Sequence, residues 1–360
     1  MGERVPRIGI VGGGVFGEMH LKVFRQLEHE GRCELVGLAD VRPAQLRLRK
    51  KQYGVRTFRS HRELIRRAKP DAVAVVTPDH LHRKVALDAL EAGCHVLCEK
   101  PLDVTTKGAL EMVRAAKRNN RLLAVDLHKR HAPAHISLKQ AIAAGKLGKV
   151  EYAYAWMEDR IEVPRDWWPE WSPKSSPIWF LGVHYIDVFR WIVGNPKAQT
   201  VYATGQRRKL RSEGVNAWDA IQAHVTFRGG IQFTIHVSWI LPETFEAIVD
   251  QGLRVIGTDG CVELDGQYLG VRECLKGELT QTRNHEFYHE RIEPDGTVRY
   301  SGYGIDSIAE FCDMLNLLAI GYSLRQIEGR YASGAEAVEV VRIGEAAHKS
   351  LATGRPVTLR

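Results

Sequence analysis

Cysteine is sparse in this chain: six residues among 360, at positions 33, 94, 98, 261, 274 and 312, with no Cys-x-x-Cys pair. That scarcity excludes a disulfide framework of the kind small secreted domains need, and reduced thiols are expected. Nor does any run approach the roughly 18 apolar residues of a membrane span, so no membrane partner is expected. Residues 1–7 are polar and charged up to the first apolar run, without the apolar core of a secretory leader, which gives a cytoplasmic expectation. Internal repeats, low-complexity tracts and a Gly-x-Ser-x-Gly elbow are missing too, the last arguing against a serine hydrolase.

What is present is a 44% hydrophobic chain, long enough for about two ordinary domains. The net charge of +8 comes partly from Arg47, Arg49, Lys50 and Lys51 and from Arg207, Arg208, Lys209 and Arg211. Neither run is interleaved with stacking aromatics or set on a DNA-reading motif, so they read as solvated surface and no nucleic-acid partner is expected. A basic crevice favouring acidic substrates stays open.

From residue 7 to 126, short β-branched runs (8–11, 34–39, 72–76, 95–98 and 122–125) alternate with stretches of helical periodicity. That rhythm predicts a parallel, doubly wound α/β sheet over residues 1–127. After Pro133 comes one helix, about 134–144, and then long alternating runs at 150–156, 200–205, 220–227, 231–239, 247–256 and 261–264. Gly229-Gly230, Asp259-Gly260 and Asp265-Gly266 separate neighbouring runs as hairpin turns. Residues 128–360 are therefore expected to form an α+β domain on a large, mainly antiparallel open sheet, completed by helices near 305–319 and 333–351. Such a sheet needs a cover on each apolar face, which predicts a homodimer or homotetramer packed through it.

Gly12-Gly13-Gly14-Val15-Phe16-Gly17 follows the first strand and opens a helix. In that context Gly12 makes the tight turn, Gly14 lets backbone approach a pyrophosphate, and the exposed amides of the helix start favour an anion. Asp40 stands 23 residues beyond Gly17, after the second strand, where a carboxylate can accept from both adenosine ribose hydroxyls. That favours NAD over NADP, although Arg42 could hold a 2′-phosphate. Glu99-Lys100-Pro101 closes a later parallel strand, placing a lysine at its carboxyl end, where it can project over the same crevice.

These motifs, with Thr77-Pro78-Asp79-His80-Leu81-His82, Gly182-Val183-His184-Tyr185-Ile186-Asp187 and the closing Gly354-Arg355-Pro356-Val357, resemble the Gfo/Idh/MocA oxidoreductase family over nearly the whole chain. The resemblance implies a Rossmann domain, an open-sheet substrate domain and hydride transfer on a secondary alcohol or ketone of a sugar, sugar acid or cyclitol. It gives Lys100 the substrate contact near the nicotinamide and His184 the proton, with Asp187 one turn on to orient it. An alternative is that His184 belongs to an apolar core. On the cofactor side it points to Gly12, Gly14, Val15, Phe16, Gly17, Asp40, Arg42, Thr77, Pro78, His82, Glu99 and Lys100, with His82 either touching cofactor or satisfied by local backbone. Lys129 and Arg130 fall in a segment like the family's substrate-side crossover and could bind an anionic group. The family often has an aspartate four residues before the histidine. Phe180 stands there instead, so Glu158, Asp159, His184 or water must supply the missing proton step. For the same reason a nonredox enzyme or a regulatory protein retaining NAD(P) is the competing reading.

Six of the eight tryptophans (Trp156, Trp167, Trp168, Trp171, Trp179 and Trp191) lie between the second domain's first strand and the His184 helix. Residues 164–177 hold four prolines, so this loop is expected to be stiff, with Trp167 and Trp168 free to stack on a sugar face. Trp156 and Trp191 read as core. Arg160, Arg165 and Lys174 border the loop and could select a carboxylated or phosphorylated sugar. His285-Glu286-Phe287-Tyr288-His289 matches a zinc-hydrolase spacing, but as loop or strand it would separate the histidines by roughly 13 Å. His128, His131 and His135 cluster around Pro133 as surface or crossover residues. No metal is expected.

Overall fold

A computed structural model describes residues 5–268 and 271–359. In chain order its elements are β1 (Arg7–Val11), α1 (Val15–His29), β2 (Glu34–Ala39), α2 (Pro43–Tyr53), β3 (Thr57–Phe58), α3 (His61–Ala68), β4 (Ala72–Val75), α4 (His82–Glu91), β5 (His95–Glu99), α5 (Thr106–Arg118) and β6 (Leu123–Asp126). There follow α6 (Pro133–Ala143), β7 (Val150–Arg160), α7 (Val183–Ile192), β8 (Ala198–Gln206), α8 (Lys209–Ser212), β9 (Ala220–Phe227), β10 (Gln232–Leu241), β11 (Val249–Gly257) and β12 (Cys261–Asp265). The last are β13 (Arg272–Glu273), β14 (Gln281–Thr282), β15 (His289–Ile292), β16 (Val298–Ser301), α9 (Tyr303–Ala319), α10 (Leu324–Ile327), α11 (Gly334–Thr353) and β17 (Val357–Thr358). Among the described residues, no helix is long and apolar enough to cross a membrane.

The chain forms two compact units, Met1–His128 with Tyr288–Val338, and Lys129–Phe287 with Glu339–Arg360. This differs from the single cut expected between residues 127 and 128. Burial is the reason: Ile305, Ile308, Phe311 and Leu315 of α9 share one core with Leu21, Phe24 and Leu27 of α1 and with Leu97 and Ala124 of the sheet. Each such side chain contributes about 1.5–3 kcal/mol when fully buried, so the segment after Phe287 is held to the first unit by its apolar face.

In the first unit six parallel strands run in the order β3-β2-β1-β4-β5-β6. β1 and β4 are buried from Ile8 to Val11 and from Ala72 to Val75, the near-continuous apolar pattern of strands covered on both faces. Ser60 and Thr105 cap α3 and α5 by accepting the amides of Glu63 and Gly108, both at 3.1 Å.

In the second unit seven strands run in the order β12-β11-β7-β10-β9-β8-β17, antiparallel except where β7 meets β10. Alternation along β7 buries Ala153, Ala155, Met157 and Asp159, while Tyr152 and Tyr154 face solvent. α7 packs on β7 and β10, with Phe189 stacked on Phe233 at 4.5 Å between centroids. Gly229-Gly230 and Asp259-Gly260 join β9 to β10 and β11 to β12, as expected. Asp265-Gly266 does not close a hairpin: the Asp265 carboxylate accepts the amides of Gln267 and Tyr268, and β13 pairs with β14 instead.

Candidate functional site

In the first unit the glycine turn is shaped by close backbone approach. Gly12 has φ +113°, and a Cβ there would meet the Val76 carbonyl oxygen at 2.1 Å. A Cβ on Gly17 would meet the Gly12 carbonyl oxygen at 2.0 Å, so both positions demand glycine. α1 begins at Gly14 with no side-chain cap, leaving its first amides for an anion. Val15 is 63% exposed at that helix start and Phe16 is half-buried.

Asp40 is held toward the turn. Its Oδ2 accepts the Gly13 amide at 2.7 Å and its Oδ1 accepts the Arg42 amide at 2.7 Å. The Arg42 guanidinium lies on the same carboxylate, at 3.2 and 3.3 Å, so Asp40 is not turned aside. Arg49, passed over in the sequence as part of a basic run, is buried and donates to the carbonyls of Gly13 at 3.0 Å and Gly14 at 3.3 Å. It also pairs with Glu18 at 2.7 Å, and Tyr53 donates to Glu18 at 2.6 Å. The spacing from Glu18 on α1 to Arg49 on α2 carries no local signal, because the partners meet only through the fold.

Thr77 and Pro78 follow β4, and the buried Thr77 hydroxyl has no hydrogen-bond partner among the described residues, which leaves it as a donor for a ligand. His82 is occupied elsewhere: its ring nitrogens contact the carbonyls of Thr77 and Pro101, each at 2.7 Å. Its ring ties the β4 exit to the segment that bears Lys100. The Lys100-Pro101 bond is cis. Lys100 is 7% exposed with its Nζ 5.9 Å from the Phe16 ring centroid.

Glu99 has one oxygen on the Lys100 amide at 3.2 Å and the other 3.0 Å from His20 Nε2. His20 also lies 3.5 Å from Asp126. Burial acts to lower the His20 pKa, but the Asp126 and Glu99 carboxylates outweigh it and raise the group to about 9. Among the described residues, His20, Glu99 and Asp126 form a cluster whose ligand-type atoms lie within 4.8 Å of one another. The His20 imidazolium supplies one positive charge to the two carboxylates of this cluster. His285-Glu286-Phe287 forms a turn and His289 begins β15, so the zinc-like spacing is not helical.

In the second unit His184 occupies the first turn of α7 and is 4% exposed. Asp187 does not orient it, contrary to expectation, because both Asp187 oxygens accept from Arg130, at 2.8 and 2.7 Å. That bidentate pair is buried and corrects the anion-binding role for Arg130 as well. Lys129 donates to Gln251 and sits 4.8 Å over the Tyr185 ring. His135 gives its Nδ1 to the Lys129 carbonyl contact at 2.8 Å, and burial lowers its pKa to about 4. His128 and His135 are buried rather than on the surface.

Phe180 lies in a π-helical turn, Ile178–Gly182, that leads into α7. Its ring meets Trp168 at 5.5 Å, Trp171 at 5.1 Å and Trp239 at 6.2 Å, edge to face. Trp167 extends this wall at 6.0 Å from Trp168 and is 49% exposed. The proline-rich loop is pinned by a π turn at Val163–Trp167 and a 3-10 turn at Ser172–Lys174. Trp156 and Trp191 are half-buried, not core. Arg165 is engaged by Asp166, Glu213 and Glu243, and Arg160 by Glu162, which removes two of the three basic side chains offered for an acidic sugar. Of the two acids near the missing aspartate, Glu158 faces outward and pairs with His236 at 3.1 Å, whereas Asp159 is 1% exposed on the face that packs against α7.

Residues 6–127 match the family model described as "Oxidoreductase family, NAD-binding Rossmann fold", and residues 135–263 match the "GFO/IDH/MocA C-terminal domain". The chain is 31% identical over 203 residues to D-glucoside 3-dehydrogenase of Escherichia coli (strain K12), covering 55% of this chain and 56% of that protein. It is 32% identical over 200 residues to 1,5-anhydro-D-fructose reductase of Ensifer adhaerens, covering 55% of this chain and 58% of that protein, so these matches span little more than half of each relative. With inositol 2-dehydrogenase of Rubrobacter xylanophilus it shares 27% identity over 263 residues, 73% of this chain and 72% of that protein. In fold it is similar to GenD2 from gentamicin A biosynthesis, solved in complex with NAD, with TM-score 0.79 and 23% identity over 100% of this chain and 97% of that one.

Proposed function

Because the chain belongs to the Gfo/Idh/MocA oxidoreductase family, we propose that it is an NAD(H)-dependent oxidoreductase acting on a secondary alcohol or ketone of a sugar, sugar acid or cyclitol. The observation that carries the cofactor half is Asp40: its carboxylate is fixed to the Gly13 amide at the edge of a turn that only glycine can build. Gly12, Gly14, Val15, Phe16, Gly17, Thr77 and Pro78 complete the cradle, with Arg42 riding on Asp40 rather than replacing it. NAD is therefore preferred to NADP. When bound, the nicotinamide supplies hydride exchange with the reacting carbon.

Lys100 holds the substrate oxygen and steadies negative charge developing on it. His184 exchanges the hydroxyl proton, a task suited to imidazole near neutral pH. Asp159, buried on the face that packs against α7, takes the supporting acid role that Phe180 cannot fill. The indoles of Trp167 and Trp168 present a surface for the apolar face of a sugar or cyclitol ring, in keeping with the sugar and inositol dehydrogenases among the relatives. With Arg130, Arg160 and Arg165 committed to carboxylates, a neutral ring fits better than an acidic one.

A second reading, a nonredox or regulatory protein that retains NAD(P), is favoured by one observation. Phe180 is built into the tryptophan wall rather than left at an empty acid position.

The outward sheet face, with Tyr152, Tyr154 and Tyr202 exposed, supports a homodimer or homotetramer through that sheet. Six free cysteines, four of them buried, fit a reducing cytoplasmic setting.

Turnover of the purified protein with NAD and a panel of inositols, D-glucosides, free sugars and uronic acids, read by absorbance of reduced nicotinamide, tests the proposal. Oxidation of at least one neutral member, lost in Lys100→Ala and His184→Ala, is the expected result. Stoichiometric NAD binding with no turnover on any member would favour the second reading.

A further inference from the structure

Phe180 owes its place to the backbone around it. The Val183 amide reaches back five residues to the Ile178 carbonyl, the spacing of a π turn rather than of the α-helix that follows. One residue inserted in this way turns what precedes it by about 100° relative to α7. Phe180 lies inside the insertion and His184 just beyond it, so the turn fixes the direction of the Phe180 ring relative to the histidine. Such turns are rare because the α spacing ordinarily wins, and this one persists by what its side chains reach.

Two contacts hold its start, and both come from one side chain of α11, in the stretch that belongs to the second unit. His348 Nε2 lies 2.8 Å from the hydroxyl of the fully buried Ser176, and the imidazole stacks on the Trp179 indole at 4.9 Å and 10°. Ser176 caps the turn: its hydroxyl accepts the Trp179 amide at 3.3 Å and its carbonyl the Phe180 amide at 3.0 Å. One helical turn before His348, Gly344 opens the slot for the indole, since a Cβ there would meet Trp179 Cζ3 at 2.2 Å. The Gly344 carbonyl, 2.7 Å from His348 Nδ1, can only accept, so Nδ1 carries the proton and Nε2 accepts from Ser176. That leaves a lone pair of the Ser176 oxygen for the Trp179 amide. Burial lowers the His348 pKa from its ordinary value, in keeping with a neutral ring.

We propose that His348 is a positioning residue: by holding Ser176 and Trp179 it selects the π turn that seats Phe180 among Trp168, Trp171 and Trp239, and so tunes the affinity of that wall for a ring substrate. Its importance for substrate rests on the wall being the surface that a sugar or cyclitol meets, as proposed above. His348 itself touches no substrate in this scheme. Its effect travels from imidazole to cap and indole, and from these to the Phe180 ring.

The test pairs crystal structures of full-length variants with steady-state kinetics on the neutral sugars and inositols that the wild-type protein oxidises. His348→Phe keeps a ring against Trp179 but gives Ser176 no partner, and Ser176→Ala removes the cap while leaving the stack. In both, the Val183 amide is expected to move to the Trp179 carbonyl, the α spacing, and the Phe180 ring to leave Trp168 and Trp171. KM is expected to rise by roughly three- to tenfold with kcat within about twofold, and the double variant to add little more. His348→Gln, which returns an acceptor to Ser176, is expected to recover most of the KM, a recovery that a general loss of stability would not show. Should one variant fail to fold, the other carries the result. A Val183 to Ile178 bond and a Phe180 ring both in place in the variants overturn the proposal. So does an unshifted KM in a protein where Trp167→Ala raises it. A KM that Trp167→Ala leaves unchanged, beside a rearranged turn, sinks instead the reading of the wall as a ring-binding surface and leaves the hold of His348 on the turn standing.

Discussion

Around the glycine turn and Lys100, the first unit works with ion pairs: Asp40 with Arg42, Arg49 with Glu18, His20 with Glu99 and Asp126. Around Phe180, the second unit works with rings: Trp167, Trp168, Trp171, Phe180 and Trp239 meet edge to face or tilted, at centroid distances of 5.1–6.2 Å. The contrast teaches where each unit is sensitive. Charge-built sites fail sharply when one partner is removed, because the other is left buried and uncompensated, about 1–3 kcal/mol for a polar group and more for a charge. Ring-built surfaces degrade gradually, since each pair adds only about 0.5–1.5 kcal/mol beyond the area it covers.

The largest expected effect is on the charged side. Lys100→Ala is expected to lower kcat/KM by roughly 10²–10⁴ with little change in NAD affinity, as steady-state kinetics alongside calorimetric NAD titration would show. A variant that lost both in proportion would mean that Lys100 serves the dinucleotide and not the substrate.

Next comes Arg49→Met, which strips the Gly13 and Gly14 carbonyls of their buried donor. A loss of about 1–3 kcal/mol, or roughly 5- to 150-fold in the Kd for NAD by calorimetry, is expected. Unchanged affinity would remove Arg49 from the cofactor cradle.

Stability against pH sharpens the comparison further. The folded-state pKa of His20, at about 9, lies above its ordinary 6.5, so the stability it lends is complete below 6.5 and is lost as pH rises through 9. His135 in the second unit and His95 in the first are instead depressed to about 4, mainly by burial, and their contribution is lost as pH falls from 6.5 toward 4. Thermal melts are expected to show an alkaline loss that His20→Gln flattens and an acid loss that it leaves in place.

The smallest effect belongs to Trp167, about half exposed. Trp167→Ala is expected to leave the melting temperature nearly unchanged, within about 0.5 kcal/mol of stability, while raising KM for a ring substrate by up to roughly tenfold. A fall in stability with no change in KM would make the wall a packing feature alone.

Much of the first unit could be read in advance because its signals are local. Gly12 to Gly17, Asp40 and the strand ending at Glu99 each announce themselves within a few residues, whereas in the second unit the alternating run read from the sequence stops at Trp156 and leaves Glu158 and Asp159 undistinguished. Arg49 and His20 were not legible. Arg49 sits in a run that reads as solvated charge, and His20 looks like one more residue on the apolar stripe of α1 beside Leu21 and Phe24. Their partners lie 36 and 79 residues away and meet them only through the fold. Asp187 misled for the opposite reason, since its helical spacing from His184 is genuine but a residue 57 positions earlier, Arg130, takes both its oxygens. The return of α9 to the first core escaped notice because an amphipathic helix does not say which neighbour it will cover.

Arg42 already stands on the Asp40 carboxylate, with its side chain more than half exposed. Exchange of that single acid for a small neutral residue would release an arginine in place, ready for a phosphate on the ribose. On the reading that Asp40 selects NAD, that one exchange is expected to admit NADP, with no rebuilding of the strand, the turn or the helix that follows.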